Sequence, residues 1–108
     1  MSYKIKYVFS FKKDLKKLSK KYKSIKKDYA FLLQTLSTNN PKEIGTSIGK
    51  NCYKFRLKNS YNQKGKSGGY RVIYFYIDGD TITLLSIYSK SEIENISDDE
   101  IIERLKEI

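Results

Sequence analysis

Three cations on one predicted strand are the residues of this chain best suited to chemistry. Lys54, Arg56 and Lys58 alternate with aromatic and aliphatic residues between positions 51 and 59, which is the period of a strand with one apolar and one cationic face. Like charges on one face repel, so stability alone does not favour the arrangement. Because the planar guanidinium of arginine matches phosphate oxygens, the row predicts that this face binds an anion.

A glycine-rich loop leads from this strand into a second one, predicted over residues 69–77. If the two strands pair, either Arg71 or Tyr70 joins the cationic face. Lys64 and Lys66 in the loop would then lie above the same edge of the sheet, and the glycines let the backbone approach a ligand closely. We therefore expect loop and strands to converge on one anion. The alternative for the lysines is an ordinary solvated surface.

The composition also indicates a polyanionic partner. The 108 residues include 22 Lys and Arg, 12 Asp and Glu and no histidine, for a formal net charge of +10. Such an excess favours RNA, DNA or an anionic membrane surface. A lysine-rich composition without functional meaning is the alternative. The length indicates a single domain, residues 1–108.

The chain shows no sign of export or membrane insertion. A single cysteine, Cys52, excludes an internal disulfide, and the N-terminal residues do not resemble a signal peptide. No stretch approaches the apolar length that a membrane span needs. These features predict a cytoplasmic protein that does not bind a membrane.

Charge is distributed unevenly along the chain. From residue 92 onward seven acidic residues stand against two basic ones, so the cationic excess lies entirely in the first 91 residues. This acidic end predicts a segment that avoids the polyanion-binding surface. The first predicted helix carries lysines opposite its apolar stripe, and we expect them to contact nucleic-acid phosphates without reading sequence. These lysines are Lys12, Lys13, Lys16, Lys17 and Lys20.

Hydrophobic periodicity supplies the elements that position these residues. In chain order it predicts a strand at 4–9, helices at 11–22 and 24–36, strands at 51–59, 69–77 and 81–89, and a helix that begins after Ser97. Asp78 and Gly79 form a predicted hairpin turn, and Ser97 starts a capping box with Glu100. The order β-α-α-β-β-β-α predicts an α+β fold, with helices packed on a mostly antiparallel four-stranded sheet.

Three motifs follow one another along the predicted strands: Cys52-Tyr-Lys-Phe-Arg-Leu57, Gly69-Tyr-Arg-Val-Ile-Tyr74 and Leu85-Ser-Ile-Tyr-Ser-Lys90. With the Phe-x-Lys-Asp-Leu-x-x-Leu pattern of the first helix and Lys-Ser-Glu-x-Glu-x-Ile after the last strand, they resemble the RelE/ParE toxin superfamily of bacterial type II toxin–antitoxin systems. The Gly-Lys-Ser-Gly-Gly before the second motif is similar to RelE- and HigB-like members. The resemblance covers nearly the whole chain, through the order and spacing of its motifs.

This resemblance implies a ribosome-dependent endoribonuclease that enters the vacant A site, cuts mRNA and inhibits translation. It also implies a cognate antitoxin that holds the toxin inactive. The catalytic cations that it implies are Lys54, Arg56, Arg71 and Lys90. The tyrosine that the family pattern places after the last strand falls near Ile96 here, and Tyr88 is the candidate that could replace it.

The residue types are compatible with RNA cleavage by such a group of cations. Cleavage requires a deprotonated 2′-oxygen, stabilisation of the charge on the phosphorane and a proton for the 5′-oxygen. Without histidine or a metal-ligand cluster, we expect neither a metal nor a cofactor. Arg56 and Arg71 can clamp the phosphate, and neighbouring cations lower the pKa of Lys54 or Lys90 so that either can transfer a proton. The ribosome would hold the RNA in line, and the lysine-rich helix would bind ribosomal RNA.

Two other functions remain open from the sequence. A ParE-like member of the same superfamily would inhibit DNA gyrase and would lack the catalytic cations. A non-catalytic RNA-binding module, or an inactive toxin, would use the cationic face as a passive platform. Fold analogy alone does not separate these functions, because one fold hosts several of them.

Overall fold

The elements of the fold follow the predicted order, with two short additions. The computed structural model describes residues 2–60 and 68–108. In chain order the elements are β1 (Lys4–Tyr7), α1 (Phe9–Lys21), α2 (Ile25–Thr38), α3 (Pro41–Ile44), β2 (Thr46–Gly49), β3 (Cys52–Leu57), β4 (Tyr70–Phe75), β5 (Thr81–Ser89) and α4 (Asp98–Leu105). The predicted α+β class is confirmed. None of the helices in these two ranges has the length and hydropathy needed to cross a membrane.

The sheet of the described residues has five strands, where the sequence analysis predicts four. Its order is β1-β5-β4-β3-β2, with β1 parallel to β5 and every other neighbouring pair antiparallel. The additional strand β2 reaches β3 through Lys50 and Asn51, which both have positive φ, as the primed hairpin turns require. Its four residues are mostly exposed and show no apolar alternation. Pairing with β3, rather than its own propensity, makes it a strand.

The helices α1 and α2 cover one side of the sheet, the helix face, and form the main core with it. Phe11 and Leu18 of α1 are buried, whereas the lysines between them are exposed, so the predicted amphipathic spacing is confirmed. The ring of Tyr22, just beyond α1, meets the ring of Tyr70 on β4 edge-on, with centroids 5.6 Å apart. Val72 on the same face of β4 is fully buried. The apolar residues of β4 thus form part of the core beneath the helices.

An ion pair completes the outer edge of β5. β1 pairs with β5 only as far as Leu84, which leaves the following backbone groups without a strand partner. The carboxylate of Asp14 on α1 accepts a hydrogen bond from the N–H of Ile87 at 3.2 Å, and Arg104 on α4 donates to the carbonyl of Leu85 at 2.8 Å. Asp14 and Arg104 are themselves paired at 2.5 Å. These two side chains satisfy edge groups that a sixth strand would otherwise bind.

The acidic C-terminal segment folds back along the basic helix, so the prediction that it avoids that surface is wrong. Glu92 pairs with Lys21 of α1 at 2.6 Å, and Glu107 accepts a hydrogen bond from the N–H of Ser10 at 2.9 Å. Between these contacts, the Ser97 hydroxyl caps α4 as predicted. Opposite charge draws the segment toward α1, because the acids supply counter-charges that the lysines otherwise lack.

Candidate nucleic-acid interface

The side of the sheet opposite the helix face, the cationic face, brings the two predicted arginines together. The β3–β4 register places Arg56 directly opposite Arg71, and the β4–β5 register places Arg71 opposite Tyr88. Lys54 shares this face because it lies two residues before Arg56 on β3. Of the two candidates on β4, the register therefore selects Arg71. Tyr70 lies on the helix face and is fully buried.

The two arginines differ in their exposure. Arg71 is 6% exposed, and its Nη1 donates to the carbonyl oxygens of Tyr70 at 3.2 Å and Gly68 at 3.5 Å. Burial lowers the pKa of Arg71, and the charge of Arg56 lowers it further. The guanidinium stays protonated at neutral pH, because the ordinary pKa of arginine lies so far above 7. Arg71 is thus a fixed positive charge, whereas the exposed side chain of Arg56 is free to meet a ligand.

The two predicted lysines lie beside the arginines and contact the segment that follows β5. The ammonium of Lys54 donates to the side-chain oxygen of Asn95 at 3.0 Å, and that of Lys90 donates to the carbonyl of Glu94 at 2.8 Å. Burial lowers the pKa of Lys54, and the charges of Lys90, Arg71 and Arg56 act in the same direction. The four cations therefore lie close enough to influence one another, as the sequence analysis expects. A lowered pKa makes Lys54 a better proton acceptor at neutral pH.

Tyr88 is adjacent to Arg71 but is closed off from solvent. Its side chain is 4% exposed, and its buried hydroxyl has no hydrogen-bond partner among the described residues. Burial raises the pKa of Tyr88, while the nearby N–H of Ile96 and the charge of Arg71 oppose the rise. That N–H is near enough to act electrostatically but falls outside hydrogen-bonding geometry. Tyr88 therefore lies beside the position where the family pattern expects its tyrosine, but it is not accessible to RNA in this conformation.

A shallow groove of about 400 Å³ borders the cationic face on the side of β2. Thr46 and Ile48 of β2 line it together with Lys54 and Arg56 of β3. The groove opens to solvent next to the exposed arginine. A flexible anionic chain could lie along it and reach both cations.

The lysines predicted to bind RNA through phosphates fall into three groups. All five on α1 are exposed: Lys12, Lys13, Lys16, Lys17 and Lys20. Lys58 is exposed just beyond the end of β3. Lys64 and Lys66 lie outside the described residues. The structure therefore presents a basic helix next to the free edge of β5, separated from the cationic face by the segment after β5.

Sequence reasoning missed the residues of that segment that contact the cations. Glu92, Glu94 and Asn95 lie in a short polar stretch between a strand and a helix, which is typical of any connecting loop. No local signal marks them, because their partners are far away in sequence. The described part of the chain holds no group of three or more His, Cys, Asp and Glu side chains that could bind a metal ion.

Comparison with known proteins identifies the family of this chain. A family model described as the RelE toxin of the RelE/RelB toxin–antitoxin system matches residues 6–108. A search of curated proteins by sequence found no significant match. Among solved structures, the Escherichia coli toxin RelE, determined in the free state with two arginines replaced by alanine, matches with a TM-score of 0.62 at 20% identity. The match covers 100% of this chain and 99% of that chain.

At this identity, the match to the Escherichia coli toxin supports the fold alone. The family model is the stronger finding, since it spans almost the entire chain. It confirms the family resemblance predicted from the sequence motifs. This chain belongs to the RelE toxin family of toxin–antitoxin systems.

Proposed function

We propose that this protein is a ribosome-dependent endoribonuclease that cleaves mRNA in the A site and is neutralised by a cognate antitoxin. The observation that carries the proposal is that no described carboxylate balances the positive charge of the cationic face by an ion pair. Within residues 2–60 and 68–108, none of its four cations forms an ion pair with a carboxylate. These cations are Lys54, Arg56, Arg71 and Lys90. Such a face requires an anion that the rest of the described chain does not supply.

The arrangement costs stability, which argues against a purely structural role. Like charges directly opposite one another on neighbouring strands destabilise a sheet, and Arg56 lies opposite Arg71. The pKa of Lys54 is lowered first by burial and then by the charges of Lys90, Arg71 and Arg56, so its surroundings also disfavour a positive charge. A phosphodiester would relieve both effects at once, because its oxygens can accept from two guanidinium groups.

The residues of the face can serve the three requirements of RNA cleavage. In the proposed reaction the 2′-oxygen attacks the adjacent phosphorus and the bond to the 5′-oxygen breaks, which leaves a 2′,3′-cyclic phosphate and a 5′-hydroxyl. Arg56 and Arg71 stabilise the charge that develops on the phosphoryl oxygens. Lys54, whose pKa is lowered, accepts the proton of the 2′-hydroxyl, and Lys90 donates a proton to the leaving 5′-oxygen.

A site of this kind depends on a partner that positions the RNA. It has no imidazole, and its cations stabilise charge without fixing the angle of attack. Holding the 2′-oxygen, phosphorus and 5′-oxygen in line is worth roughly 7–11 kcal/mol in favourable cases. We propose that the ribosome supplies this alignment. The exposed lysines of α1 would bind ribosomal RNA at the same time.

The charge distribution also supports an acidic antitoxin. The cationic excess of the chain lies in the first 91 residues, and both α1 and the cationic face present exposed positive charge. An acidic partner would associate rapidly with such a surface. By neutralising the same cations that RNA must meet, it would block cleavage.

The direct test is a reconstituted translation reaction with a defined message, in which cut sites are mapped by primer extension. The intact protein should cut inside codons and only when ribosomes are present. Because Arg56 is exposed, Arg56→Ala should fold normally, and loss of one charge-stabilising donor should lower cleavage by about 10²–10³-fold. Lys4→Ala, which removes an exposed charge from β1 at the far edge of the sheet, is the matched control and should retain full activity.

A non-catalytic RNA-binding module is the second candidate, favoured by the burial of Tyr88 and Arg71. On that reading Arg56→Ala weakens RNA binding, but the intact protein cuts no message at any ribosome concentration. Absence of cleavage together with unhindered translation would contradict the endoribonuclease, and an unchanged RNA affinity in Arg56→Ala would contradict the RNA-binding module. DNA gyrase, the target of ParE-like toxins, would then be assayed by its supercoiling activity.

A further inference from the structure

Residues 91–97, which connect β5 to α4 and are called the strap below, place oxygen atoms on three cations. The carboxylate of Glu92 accepts from the ammonium of Lys21 at 2.6 Å. The backbone carbonyl of Glu94 and the side-chain oxygen of Asn95 accept from Lys90 and Lys54, at 2.8 Å and 3.0 Å. The strap therefore contacts both the basic helix and the cationic face.

These oxygens stand where the phosphates of a bound polyanion would stand. A phosphate presents acceptor oxygens to cations, as the strap does, but it also carries a charge. The hydrogen bonds to Glu94 and Asn95 already have a charged ammonium donor, but a phosphate would add a charged acceptor, and the Coulomb attraction between opposite charges would favour it over the two neutral oxygens. Glu92 is the one strap residue that meets its cation with a charge, and the hydroxyl of Tyr22 donates to it as well, at 3.1 Å.

The strap also covers Tyr88, the candidate to replace the tyrosine of the family pattern. Ile96 lies with Tyr88 in the wall of a cavity of about 180 Å³ between the strap, α1 and the edge of β5. The Tyr88 hydroxyl beneath is buried and unpartnered among the described residues. An incoming RNA could not reach that hydroxyl while the strap is in place.

The packing of the strap keeps the free energy needed to displace it small. Its residues are exposed apart from Ile96, which is half-buried, and Ile93 exposes 46% of its surface. The cavity beneath it leaves part of its inner side without apolar contacts. Segments with few buried apolar contacts open at a small fraction of the global unfolding free energy.

From these contacts we propose that the strap is an internal phosphate mimic that closes the cationic face in the free protein and opens when a polyanion binds. This rests on the proposed function in assigning the polyanion as RNA. Phosphates on α1 compete with Glu92 for Lys21, while phosphates on the sheet compete with Asn95 for Lys54. A ligand that contacts both α1 and the cationic face binds more tightly when the strap is open, because the cations are then exposed, and it therefore favours the open state. A ligand that contacts neither surface leaves the strap closed.

The test compares Glu92→Gln with Glu103→Gln in the full chain. Both substitutions remove one negative charge from an exposed ion pair, but the partner of Glu103 is Lys106 at the C-terminal end of α4, which is not one of the three cations that the strap contacts. Hydrogen exchange of the strap is measured by mass spectrometry, and affinity by the fluorescence anisotropy of a single-stranded 2′-deoxy oligonucleotide, which cannot be cleaved. Glu92→Gln should speed strap exchange and tighten binding by about two- to fivefold relative to Glu103→Gln, the range of an exposed ion pair.

Oligonucleotide binding to the unmodified protein should also raise exchange in the strap, and Asn95→Ala should reproduce the tighter binding without a change in charge. Equal exchange and affinity for the two glutamine variants would overturn the proposal. So would a strap that stays protected when the oligonucleotide is saturating. These readouts need no cleavage, so their outcome is independent of whether the protein cuts RNA on the ribosome.

Discussion

The two faces of the sheet are built from the same strands but meet opposite demands. On the helix face, the rings of Tyr53 and Tyr74 stack with centroids 5.5 Å apart, and β4 is sealed by the helices. On the cationic face, Arg56 opposes Arg71, and the exposed strap contacts the neighbouring Lys54 and Lys90. Alternation along a strand separates the residues that stabilise the fold from those that cost stability and bind. Changes on the two faces should therefore have opposite consequences.

The largest effect is expected from the helix face. Phe11→Ala removes a fully buried ring between α1, α2 and the sheet, and truncation of a buried aromatic costs about 3–5 kcal/mol of unfolding free energy. Arg56→Ala on the other face should leave the unfolding free energy unchanged or slightly higher. Urea titration followed by circular dichroism measures both. A similar loss in the two variants would contradict the division between the faces.

A smaller effect is expected where the chain enters β4. Gly69 has a φ of 84°, and a Cβ there would come within 2.7 Å of the Leu57 carbonyl oxygen. Gly79 has a similar φ of 78° but nothing within 4 Å of an added Cβ. Gly79→Ala should cost about 1–2 kcal/mol for the left-handed conformation alone, and Gly69→Ala should cost more because of the contact. If the two variants had equal unfolding midpoints in urea, the backbone near Leu57 would have moved away from the added Cβ without a loss of stability.

A further, intermediate loss of unfolding free energy is expected at the edge of β5. Asp14→Asn removes the charge that pairs with Arg104, whose side chain is 12% exposed. Arg104 keeps its pair with Glu100 at 3.2 Å, so the variant weakens one charged hydrogen-bonding contact of a partly buried cation, which costs about 1–3 kcal/mol. Glu103→Gln, which breaks an exposed pair on α4, should cost no more than about 0.5 kcal/mol. Thermal unfolding of both variants, with the larger fall in Tm for Asp14→Asn, is the measurement.

The smallest effect has the opposite sign and belongs to the cationic face. Lys54→Met keeps the side-chain length and removes a charge that burial and three neighbouring cations disfavour, so it should raise the unfolding free energy at pH 7 by less than about 1 kcal/mol. The folded pKa of Lys54 lies below its unfolded value of 10.5. As the pH rises through the folded pKa, the native lysine loses its proton first and the penalty disappears.

The advantage of Lys54→Met over the unmodified protein should therefore shrink between pH 7 and pH 10. Urea unfolding of both proteins at a series of pH values measures this difference in unfolding free energy. The contributions of the other titrating groups cancel because both proteins contain them. An advantage that grows with pH would mean that Lys54 is stabilised, not destabilised, by its surroundings.

The elements whose signals are local can be predicted from the sequence alone. Helical spacing of apolar residues marks α1 and α2, period-two alternation marks β3, and the Ser97 capping box marks the start of α4. These patterns work because side-chain direction repeats every 3.6 residues in a helix and every two in a strand. The row of cations at Lys54 and Arg56 could be assigned to one face for the same reason.

Which distant residues contact one another depends on the tertiary structure. It chose Arg71 over Tyr70 for the cationic face, because the face depends on the register between two strands. It formed β2 from residues without a strand pattern, because β3 offered hydrogen-bonding partners. It also brought Asn95 to Lys54, 41 residues away, and Glu92 to Lys21, 71 residues away. Such contacts depend on how the chain returns upon itself, and no periodicity within a single element encodes that path.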